Sequence, residues 1–315
     1  MKQLAKYIWT EEYRPETVKD IILPRNVKAL FKRFVSDEEI LNLLLESSTP
    51  GTGKTTTAKA LCNDMGVDML YINASKENGI DVLRTKIERF ATVQSITGKP
   101  KVVVMDEIDG TTPDFQRSLR GFMDSFSHVC RFIGTCNYKS KLIDPLCSRF
   151  ENGTINFNFM DKKSQAELKP KIFKRLIGIL KIEKITFEEK TIQKIVDDFY
   201  PDIRRMIGIM QKHSFITNNI DNSIFETQKI DTELYEYILN FDLTSARKYI
   251  IEKGCNYSEL YSDFFKNFIP LLKGSQKPKV ILTLADYAYK NAFVIDKELN
   301  FSAALIEIMS DLKNE

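Results

Sequence analysis

The sequence has little of what metal-binding, membrane-spanning and fibrous proteins need. Only two histidines occur among 315 residues, and none of the five cysteines belongs to a C-x-x-C pair. These numbers exclude the spacings typical of a zinc site. No apolar run reaches the ~18 residues that a transmembrane helix requires. With 13 glycines and 10 prolines, the chain is also not collagen-like or dominated by linkers.

An excess of one charge is missing as well. The 46 lysines and arginines nearly balance the 43 aspartates and glutamates, which gives a formal net charge of +3. So small an excess cannot attract a polyanion by itself, so any nucleic-acid contact needs basic residues concentrated at one place. The N-terminus has no long apolar stretch and no small-residue cleavage site, which predicts no secretory signal. The odd cysteine count is typical of buried, reduced thiols, so we expect a cytoplasmic protein without a membrane partner.

Hydrophobic residues make up 43% of the chain, as in globular proteins, and their pattern changes along it. Between about residues 42 and 159, short apolar runs alternate with segments of helical period. The apolar runs are Leu43–Glu46, Met69–Ile72, Val102–Met105, Phe132–Gly134 and Ile155–Phe159. The helical segments are Thr56–Asp64, Gly79–Val93 (with an apolar face of Ile80, Leu83, Ile87 and Phe90) and Phe115–Phe126. This alternation predicts an α/β domain with a parallel sheet.

After about residue 160 only helical patterns remain. Ser164–Glu167 fits a capping box, and Pro170 then predicts either a kink or a later helix start. The polar stretch Thr217–Asn222 is typical of a linker. We therefore predict an α/β nucleotide-binding domain at 1–160, a small helical lid domain at 161–225 and a C-terminal helical domain at 226–315.

A phosphate-binding loop is the strongest motif. Pro50–Thr55 follows an apolar run and precedes a helix, which is the context that such a loop requires. Gly51 and Gly53 would let backbone N–H groups point inward to phosphate oxygens, Lys54 would reach the β- and γ-phosphates, and the Thr55 hydroxyl would bind Mg²⁺. Ser48 stands where the motif usually has its first glycine. The alternative is a chance glycine-rich turn.

An acidic pair follows the third apolar run. Val102–Met105 leads into Asp106 and Glu107. At a strand end, Asp106 would lie near the Mg²⁺ ion, and Glu107 would polarise a water for attack on the γ-phosphate. The alternative is a solvated helix cap. The glutamate favours hydrolysis over group transfer, because a kinase needs no water-activating residue.

Several segments together resemble one family. They are Glu12–Thr17, Pro50–Thr55, Asn73–Ser75 with Gly79–Arg84, Asp106–Asp109, Gln116–Arg120, Thr135–Asn137, Cys147–Arg149 and Asp202–Arg205. Their order and spacing resemble the sliding-clamp loader subunits of the replication-factor-C type, which are AAA+ ATPases. Within that family, the short length, the serine-containing phosphate loop and Pro201–Asp202 resemble the large subunit of T4-type phage loaders. The resemblance is dense over residues 10–210.

The resemblance implies further nucleotide contacts. Thr10, Glu11, Glu12 and Tyr13 would form a strap at the adenine, with Ile22 beside the base. Thr52 and Thr56 would join Gly51, Gly53, Lys54 and Thr55 at the phosphates. Asn137 would sense the γ-phosphate, although a strand-end asparagine is more often a turn former. Arg204 would reach the phosphates from the lid, although an arginine at a helix start is more often solvated.

Two arginines are assigned to other molecules by the same resemblance. Arg149, in Ser148–Arg149–Phe150, matches the arginine finger that acts on a neighbouring subunit, although the cysteine of the family motif is displaced to Cys147. Arg84 would face the phosphate backbone of DNA; the alternative is a local pair with Glu88. Lys76, Arg117 and Arg120 are weaker DNA candidates.

The resemblance therefore implies an ATPase that uses ATP and Mg²⁺ and loads a sliding clamp on primer–template DNA. Its partners would be the clamp, a small loader subunit and further copies of itself in a hetero-pentamer, joined through a C-terminal collar. Phe122–Ser127 would touch the clamp. Two alternatives stay open: another AAA+ ATPase, such as a helicase loader or branch-migration motor, and a scaffold subunit that does not hydrolyse ATP.

Overall fold

The computed structural model describes residues 8–76, 79–95, 98–225 and 232–313. The chain divides into two compact units, one that ends at Ile224 and one that begins at Phe225. This division falls within one residue of the predicted start of the C-terminal domain. The predicted lid packs in the same unit as the nucleotide-binding domain. In the described part of the chain, no helix combines the length and apolar character needed to cross a membrane.

The elements are numbered in chain order. The strands are β1 Leu43–Glu46, β2 Met69–Asn73, β3 Lys101–Asp106, β4 Cys130–Cys136, β5 Thr154–Asn156, β6 Thr186–Phe187 and β7 Asn219–Ile220. The α-helices of the first unit are α1 Trp9–Glu12, α2 Arg25–Asp37, α3 Lys54–Met65, α4 Ile80–Thr92, α5 Pro113–Ser125, α6 Asp144–Cys147, α7 Lys162–Ile182, α8 Glu189–Phe199 and α9 Ile203–Ser214. Those of the second unit are α10 Thr232–Leu239, α11 Leu243–Glu252, α12 Tyr257–Asp263, α13 Lys277–Lys290 and α14 Lys297–Lys313. Short 3-10 or π turns occupy Ile108–Gly110, Lys139–Lys141, Ser148–Gly153, Asn222–Phe225, Phe264–Phe268 and Ile269–Leu271.

A five-stranded parallel sheet organises the nucleotide-binding part. Its strand order is β2-β3-β4-β1-β5, and the pairing aligns Asn73 with Asp106 and Glu46 with Cys136. Because all strands run in the same direction, their carboxyl ends share one edge of the sheet. The phosphate loop, the acidic pair and Asn137 all follow strand ends, so the topology brings them to that edge.

Helices cover both faces of this sheet, as the continuous apolar runs require. On one face, Leu44, Val103 and Met105 pack with Ile87 of α4 and with Phe115 and Leu119 of α5. The other face buries Leu43, Leu45, Val102 and Val104 against Phe31 of α2 and Leu61 of α3. Strand residues alternate between the two cores, so the predicted three-layer α/β fold is confirmed. In α4, the side chains of the predicted apolar positions Ile80 and Leu83 lie outside what the structure describes.

Several predicted boundaries are wrong. Helix α7 begins earlier than the capping box suggested, because the side chain of Asp161 accepts the backbone N–H of Ser164 at 2.9 Å and serves as the N-cap. The helix continues through Pro170 without a break. The segment predicted to be a linker contains β7, which pairs with β6 and buries Ile220. A two-residue strand is too short to give a detectable alternation of polar and apolar residues.

The second unit has a core of its own. Aliphatic and aromatic side chains form it, and Phe264 packs edge-on against both Tyr235 and Phe301. The last two helices of the unit are α13 and α14. Four large apolar side chains of this unit are 67% to 72% exposed: Leu282, Tyr289, Phe293 and Leu299.

Candidate ATP-binding and hydrolysis site

The phosphate loop joins β1 to α3 at the carboxyl edge of the sheet. Gly51 and Gly53 have φ values of +71° and +92°, in the left-handed region that glycine adopts without strain. Lys54 is the first residue of α3, so the loop ends where the helix presents its free N–H groups. Positive φ at both glycines and a helix that starts directly after them are the features that the predicted phosphate-binding loop requires.

Lys54 is held within the loop that it serves. Its ammonium group donates to the carbonyls of Ser47 and Thr49, at 3.2 and 3.4 Å, and to Oδ1 of Asn137, at 2.9 Å. Burial lowers the pKa of Lys54 below its usual value, because little water is left to solvate the charge. An anion at this position would therefore restore favourable charge balance. Asn137 thus lies beside Lys54, and its role as a sensor of the γ-phosphate stays a prediction.

The serine at the first position of the motif has its own partner. Oδ1 of Asn158, which follows β5, accepts the backbone N–H of Ser48 at 2.9 Å and its hydroxyl at 3.0 Å. The Ser47 hydroxyl lies 3.0 Å from the same oxygen. Ser48 is not among the positive-φ residues, so the missing glycine causes no backbone strain, and the amide anchors this end of the loop.

The Asp106 carboxylate is surrounded by hydroxyl groups. Its Oδ1 accepts from Thr55 at 2.7 Å and from Thr135 at 2.5 Å, and its Oδ2 accepts from Tyr71 at 2.8 Å. The donors come from α3, β4 and β2, so three elements fix one carboxylate. A hydroxyl and a carboxylate oxygen this close are ligands that Mg²⁺ prefers. Among the described residues, no cluster of three His, Cys, Asp or Glu side chains forms a metal site.

Glu107 follows Asp106 in an unusual backbone conformation. Its φ of 58° lies in the left-handed region, which is uncommon for a side chain of this size and often marks a functional site. The Glu107 N–H donates to the Thr135 hydroxyl at 3.1 Å, and the carboxylate accepts from the Ser75 hydroxyl at 2.7 Å. Ser75 also lies 2.7 Å from Oδ1 of Asn73. The carboxylate is thus at the rim of the phosphate cavity while bonded to the loop after β2.

Two adjoining cavities contain most of the predicted nucleotide contacts. The residues lining the phosphate cavity are Pro50, Gly51, Thr52, Gly53, Lys54, Thr55, Thr56, Asp106, Glu107, Thr135, Cys136, Asn137 and Arg204. The residues lining the base cavity are Thr10, Tyr13, Arg14, Pro15, Asp20, Ile21, Ile22, Gly51, Thr52, Gly53, Thr56, Arg175, Ile203, Arg204 and Ile207. The two cavities meet at the phosphate loop, because both are lined by Gly51, Thr52, Gly53, Thr56 and Arg204.

The N-terminal strap is attached to the lid. The Tyr13 hydroxyl donates to Glu183, the Tyr13 carbonyl accepts from Arg175 at 2.8 Å, and the Trp9 N–H donates to Gln211 at 3.1 Å. Burial, followed by Glu183, raises the pKa of Tyr13, which therefore stays a neutral hydrogen-bond donor. Glu11 and Glu12 do not line the base cavity, and Glu11 pairs with Arg14 at 2.6 Å, so their part in the strap stays a prediction.

The lid meets the phosphate loop directly. Asp202 caps α9 by accepting the Arg205 N–H at 2.9 Å, and its carboxylate lies against Gly51. A Cβ added to Gly51 would be 1.8 Å from that carboxylate and 3.3 Å from Cβ of Arg204. Residue 51 must therefore be glycine for two reasons: a side chain would collide with Asp202, and the backbone φ is positive. This packing brings Arg204 to the cavity wall and supports its assignment over a solvated arginine.

Arg149 lies elsewhere. It is not among the residues that line either cavity; instead, Asp124 of α5 accepts from its Nε at 2.7 Å and from its Nη2 at 3.0 Å. Its Nη1 donates to Ser148 at 3.1 Å. The Arg149 guanidinium keeps the pKa of Asp124 below its usual value. An arginine outside its own nucleotide cavity is what a finger acting on a neighbour requires.

Arg84 is exposed on α4 and donates through Nε to Glu88 at 2.8 Å. The local pair expected as the alternative is therefore present. Arg117 and Arg120 of α5 pair with Asp114 and Asp124 in the same way. Such surface pairs contribute little to stability, so they leave the guanidinium groups able to exchange partners.

Sequence reasoning missed the residues that hold the predicted ones in place. Thr135 bonds to both members of the acidic pair, and Asp109 accepts the backbone N–H groups of Asn137 and Tyr138 at 3.1 and 3.0 Å. Asp109 and Thr135 belong to the segments Asp106–Asp109 and Thr135–Asn137, which resemble the family, so their positions in the sequence could have indicated a role. Tyr71, Asp124 and Arg175 carried no such signal.

These residues fit a nucleotide and Mg²⁺. Thr52 Oγ1 is buried and has no hydrogen-bond partner within the described residues, although buried hydroxyls are normally satisfied. It lines both cavities, where a phosphate oxygen would supply an acceptor. Glycine N–H groups, a desolvated lysine and an arginine would bind the phosphates, and Thr55 and Asp106 would hold the metal.

Comparisons with known proteins agree with this site. Residues 44–156 match the family described as "ATPase family associated with various cellular activities (AAA)". The chain is 33% identical to a replication factor C small subunit of Sulfurisphaera tokodaii, over 96% of this chain and 94% of that protein. It is 37% identical to the sliding-clamp-loader large subunit of Enterobacteria phage T4, over 80% of each chain, and 32% identical to that of Escherichia phage RB69, over 91% and 89%.

Solved structures support the fold. A Thermotoga maritima RuvB Holliday junction branch migration motor superposes with a TM-score of 0.55 at 18% identity, over 80% of this chain and 87% of that one. At this identity the likeness concerns architecture alone. The sequence relatives extend through both compact units and carry the assignment. The chain therefore belongs to the clamp-loader ATPases of the AAA family.

Proposed function

We propose that this protein is the ATP-hydrolysing motor subunit of a complex that opens a sliding clamp and loads it on primer–template DNA during replication. The observation that carries the proposal is the complete half-site at the carboxyl edge of the sheet. Lys54, Thr55, Asp106 and Glu107 all line one cavity, which argues against a scaffold subunit that does not hydrolyse ATP. Arg149 lies outside that cavity, where it can complete the half-site of a neighbouring subunit.

ATP binding follows from the two continuous cavities. The adenine would lie between the strap and α9, beside Ile22 and Ile207, and the phosphates would lie on the glycine turn. Lys54 would exchange its bonds to loop carbonyls for bonds to the β- and γ-phosphates. Arg204 would close the cavity from the lid, so the nucleotide would join the lid to the sheet domain. Mg²⁺, held by Thr55 and Asp106, would neutralise charge on the phosphates.

Hydrolysis requires a base at the γ-phosphate. Glu107 is the carboxylate available to polarise a water there, because Asp106 would hold Mg²⁺ together with Thr55. A carboxylate has two oxygens, so Glu107 can accept a proton from water through one while the other keeps a hydrogen bond to the protein. In this structure Oε2 of Glu107 accepts from Ser75. The loop after β2, which immediately precedes α4 and Arg84, would thereby influence the base.

Oligomer assembly would complete each site. Arg149 would reach the γ-phosphate bound by an adjacent copy and stabilise the charge that develops during hydrolysis. The C-terminal unit, our proposed collar, would hold the copies together with a small loader subunit in a hetero-pentamer. Its exposed Leu282, Tyr289 and Phe293 are apolar surface of the kind that subunit contacts cover. Phe122–Ser127 remains the proposed contact with the clamp.

ATP turnover with and without partners tests the proposal. The protein, purified with its small loader subunit, is expected to hydrolyse ATP slowly alone and faster when the clamp and primer–template DNA are both present. DNA alone and clamp alone are the controls. Stimulation by DNA that does not depend on the clamp would favour another AAA+ motor, such as a helicase loader, and no turnover under any condition would favour a scaffold.

The DNA contact is tested by Arg84→Ala. Each phosphate contact removed is expected to lower the slope of log affinity against log salt by about 1, equally for all sequences. The matched control is Arg33→Ala, because Arg33 is also exposed and pairs with Asp37 four residues later, at 3.0 Å. If both variants bind DNA like the wild type, Arg84 belongs only to its local pair.

A further inference from the structure

Tyr71 makes a contact that the ATPase assignment does not explain. It lies in the middle of the edge strand β2, and its hydroxyl donates to Oδ2 of Asp106 at 2.8 Å. Burial and then this bond to Asp106 raise the pKa of Tyr71, so it remains a proton donor. Asp106 is 9% exposed, so its Oδ2 depends on protein donors rather than on water.

The other carboxylate oxygen is fixed independently. Oδ1 of Asp106 accepts from Thr55 and Thr135, whereas the hydrogen bond recorded for Oδ2 among the described residues comes from Tyr71. Bonds to Oδ1 alone place that oxygen but do not contact Oδ2. Tyr71 therefore restrains the second oxygen, which the two threonines do not reach.

The ring of Tyr71 is fixed in turn by a cation. Nζ of Lys59, on α3, lies 3.9 Å from the ring centroid, within the range of a cation–π contact. Lys59 follows Thr55 by four residues, so one helix presents both the Thr55 hydroxyl and the lysine that covers Tyr71. Lys59, Tyr71 and Asp106 form a continuous chain from the solvent side of α3 to the predicted metal ligand.

We propose that Tyr71, supported by Lys59, is a positioning residue that holds Asp106 in the orientation needed to bind Mg²⁺ with the nucleotide. The inference rests on the proposed function, because it takes Asp106 as a metal ligand. Tyr71 itself touches neither metal nor nucleotide. It acts as the hydrogen-bond partners of metal-ligating carboxylates do, and loss of such a partner typically costs about 10- to 100-fold in metal affinity or activity.

The test measures Mg²⁺-dependent nucleotide binding without turnover. A fluorescent ATP analogue is titrated with the full-length protein at increasing MgCl₂, and separately in EDTA, with neither clamp nor DNA present. Tyr71→Phe is expected to raise the Mg²⁺ concentration at half-effect about tenfold and to leave affinity in EDTA unchanged. Lys59→Met is expected to shift the midpoint in the same direction by about two- to fivefold.

Tyr237→Phe is the matched control, because it removes the same hydroxyl from a half-buried ring of the C-terminal unit that lines neither cavity. An unchanged Mg²⁺ midpoint in Tyr71→Phe overturns the inference. An equal loss of affinity in EDTA also overturns it, because it would indicate general damage to the cavity. If wild-type binding is itself indifferent to Mg²⁺, the metal site of the proposed function fails and the inference fails with it.

Discussion

Glu107 is constrained at both its backbone and its side chain. The left-handed φ turns the chain directly after β3, and the Thr135 hydroxyl holds the N–H of the turned residue. The two neighbouring carboxylates consequently differ in their surroundings. Asp106 accepts from three hydroxyl groups, which suits a fixed ligand, whereas the Glu107 carboxylate accepts from the Ser75 hydroxyl and lines the phosphate cavity, which suits a base.

Glu107→Gln is expected to slow ATP hydrolysis by at least about 100-fold, because a general base typically contributes 10²- to 10⁴-fold. Nucleotide affinity should stay within about twofold, since Gln has the same shape and can still accept from Ser75. Single-turnover hydrolysis and equilibrium binding of labelled ATP separate the two quantities. Glu151→Gln, at an exposed position outside both cavities, should hydrolyse normally. Normal turnover by Glu107→Gln would remove Glu107 from the mechanism.

Residues of the site were predictable where they belong to contiguous motifs. Lys54, Thr55, Asp106 and Glu107 are fixed by the chemistry of phosphate and magnesium, so their order in the sequence identifies them. Tyr71 and Asp124 act through contacts across the fold, 35 and 25 residues away from their partners. Nothing in a local pattern encodes which tyrosine or aspartate will meet a given side chain.

At the scale of elements, the junction before β5 is tightly packed against the backbone before β1. Gly153 is buried at the end of the turn Ser148–Gly153, and a Cβ there would lie 2.0 Å from the carbonyl oxygen of Asn42. That oxygen belongs to the backbone leading into β1, so it cannot move without disturbing the strand that carries the phosphate loop. The crowding therefore lies at the amino ends of β1 and β5, opposite the carboxyl edge where the phosphate loop begins.

Gly153→Ala is expected to lower the free energy of unfolding by about 1–3 kcal/mol, the usual cost of overpacking. Gly178→Ala is the control: Gly178 lies within α7 with open space around it, so alanine should raise stability by about 0.5–1 kcal/mol. Urea unfolding followed by fluorescence measures both, because the single tryptophan, Trp9, is buried in this unit. Equal free energies of unfolding for the two variants would show that the backbone around residue 153 moves to make room for the added methyl group.

The strands of the main sheet and helices α3, α4 and α5 between them were predictable, whereas helix α2 and the two-residue strands were not. The strands of the main sheet are apolar runs bounded by turn residues, and each was predicted, although β5 ends at Asn156 rather than Phe159. The pair β6–β7 was missed because its strands contribute two residues each, too few for a period. The start of α7 was misplaced by a competing cap, since Asp161 and Ser164 both suit that position and only packing selects between them.

At the scale of the whole molecule, the three predicted domains stay a prediction, and the chain divides into two compact units. The break after Ile224 lies close to the predicted start of the C-terminal domain, whereas the predicted lid and the sheet domain share one unit. The lid joins the first unit through Trp9, Tyr13 and Asp202, which are contacts between distant segments. Such contacts depend on the folded geometry and leave no trace in local composition.

Arg149→Ala is expected to bind ATP normally and to lose about 10³- to 10⁵-fold in hydrolysis rate if the arginine acts on a neighbour. Mixing Arg149→Ala with Lys54→Ala subunits should restore part of the activity. Some interfaces then combine the intact phosphate loop of one variant with the intact arginine of the other. ATPase rates of the co-assembled mixture, compared with each variant alone, give the result.

The control mixture is Lys54→Ala with Glu107→Gln. Both changes affect residues of the same cavity, so no interface in that mixture has all the groups it needs, and activity should remain absent. Two outcomes would contradict an arginine supplied in trans. One is no ATPase activity in the mixture of Arg149→Ala with Lys54→Ala despite confirmed co-assembly, and the other is full ATPase activity of Arg149→Ala alone.

Arg149 lies outside its own cavity, which would set the number of active sites in an assembly. If each copy supplied its arginine to a neighbour, a closed ring of n identical copies would have n complete sites. An open arc would have only n − 1, because the cavity at one end would receive no arginine and the arginine at the other end would reach no cavity. The two ends of such an arc would be chemically different even with identical copies, and a distinct subunit could recognise one end and ignore the other.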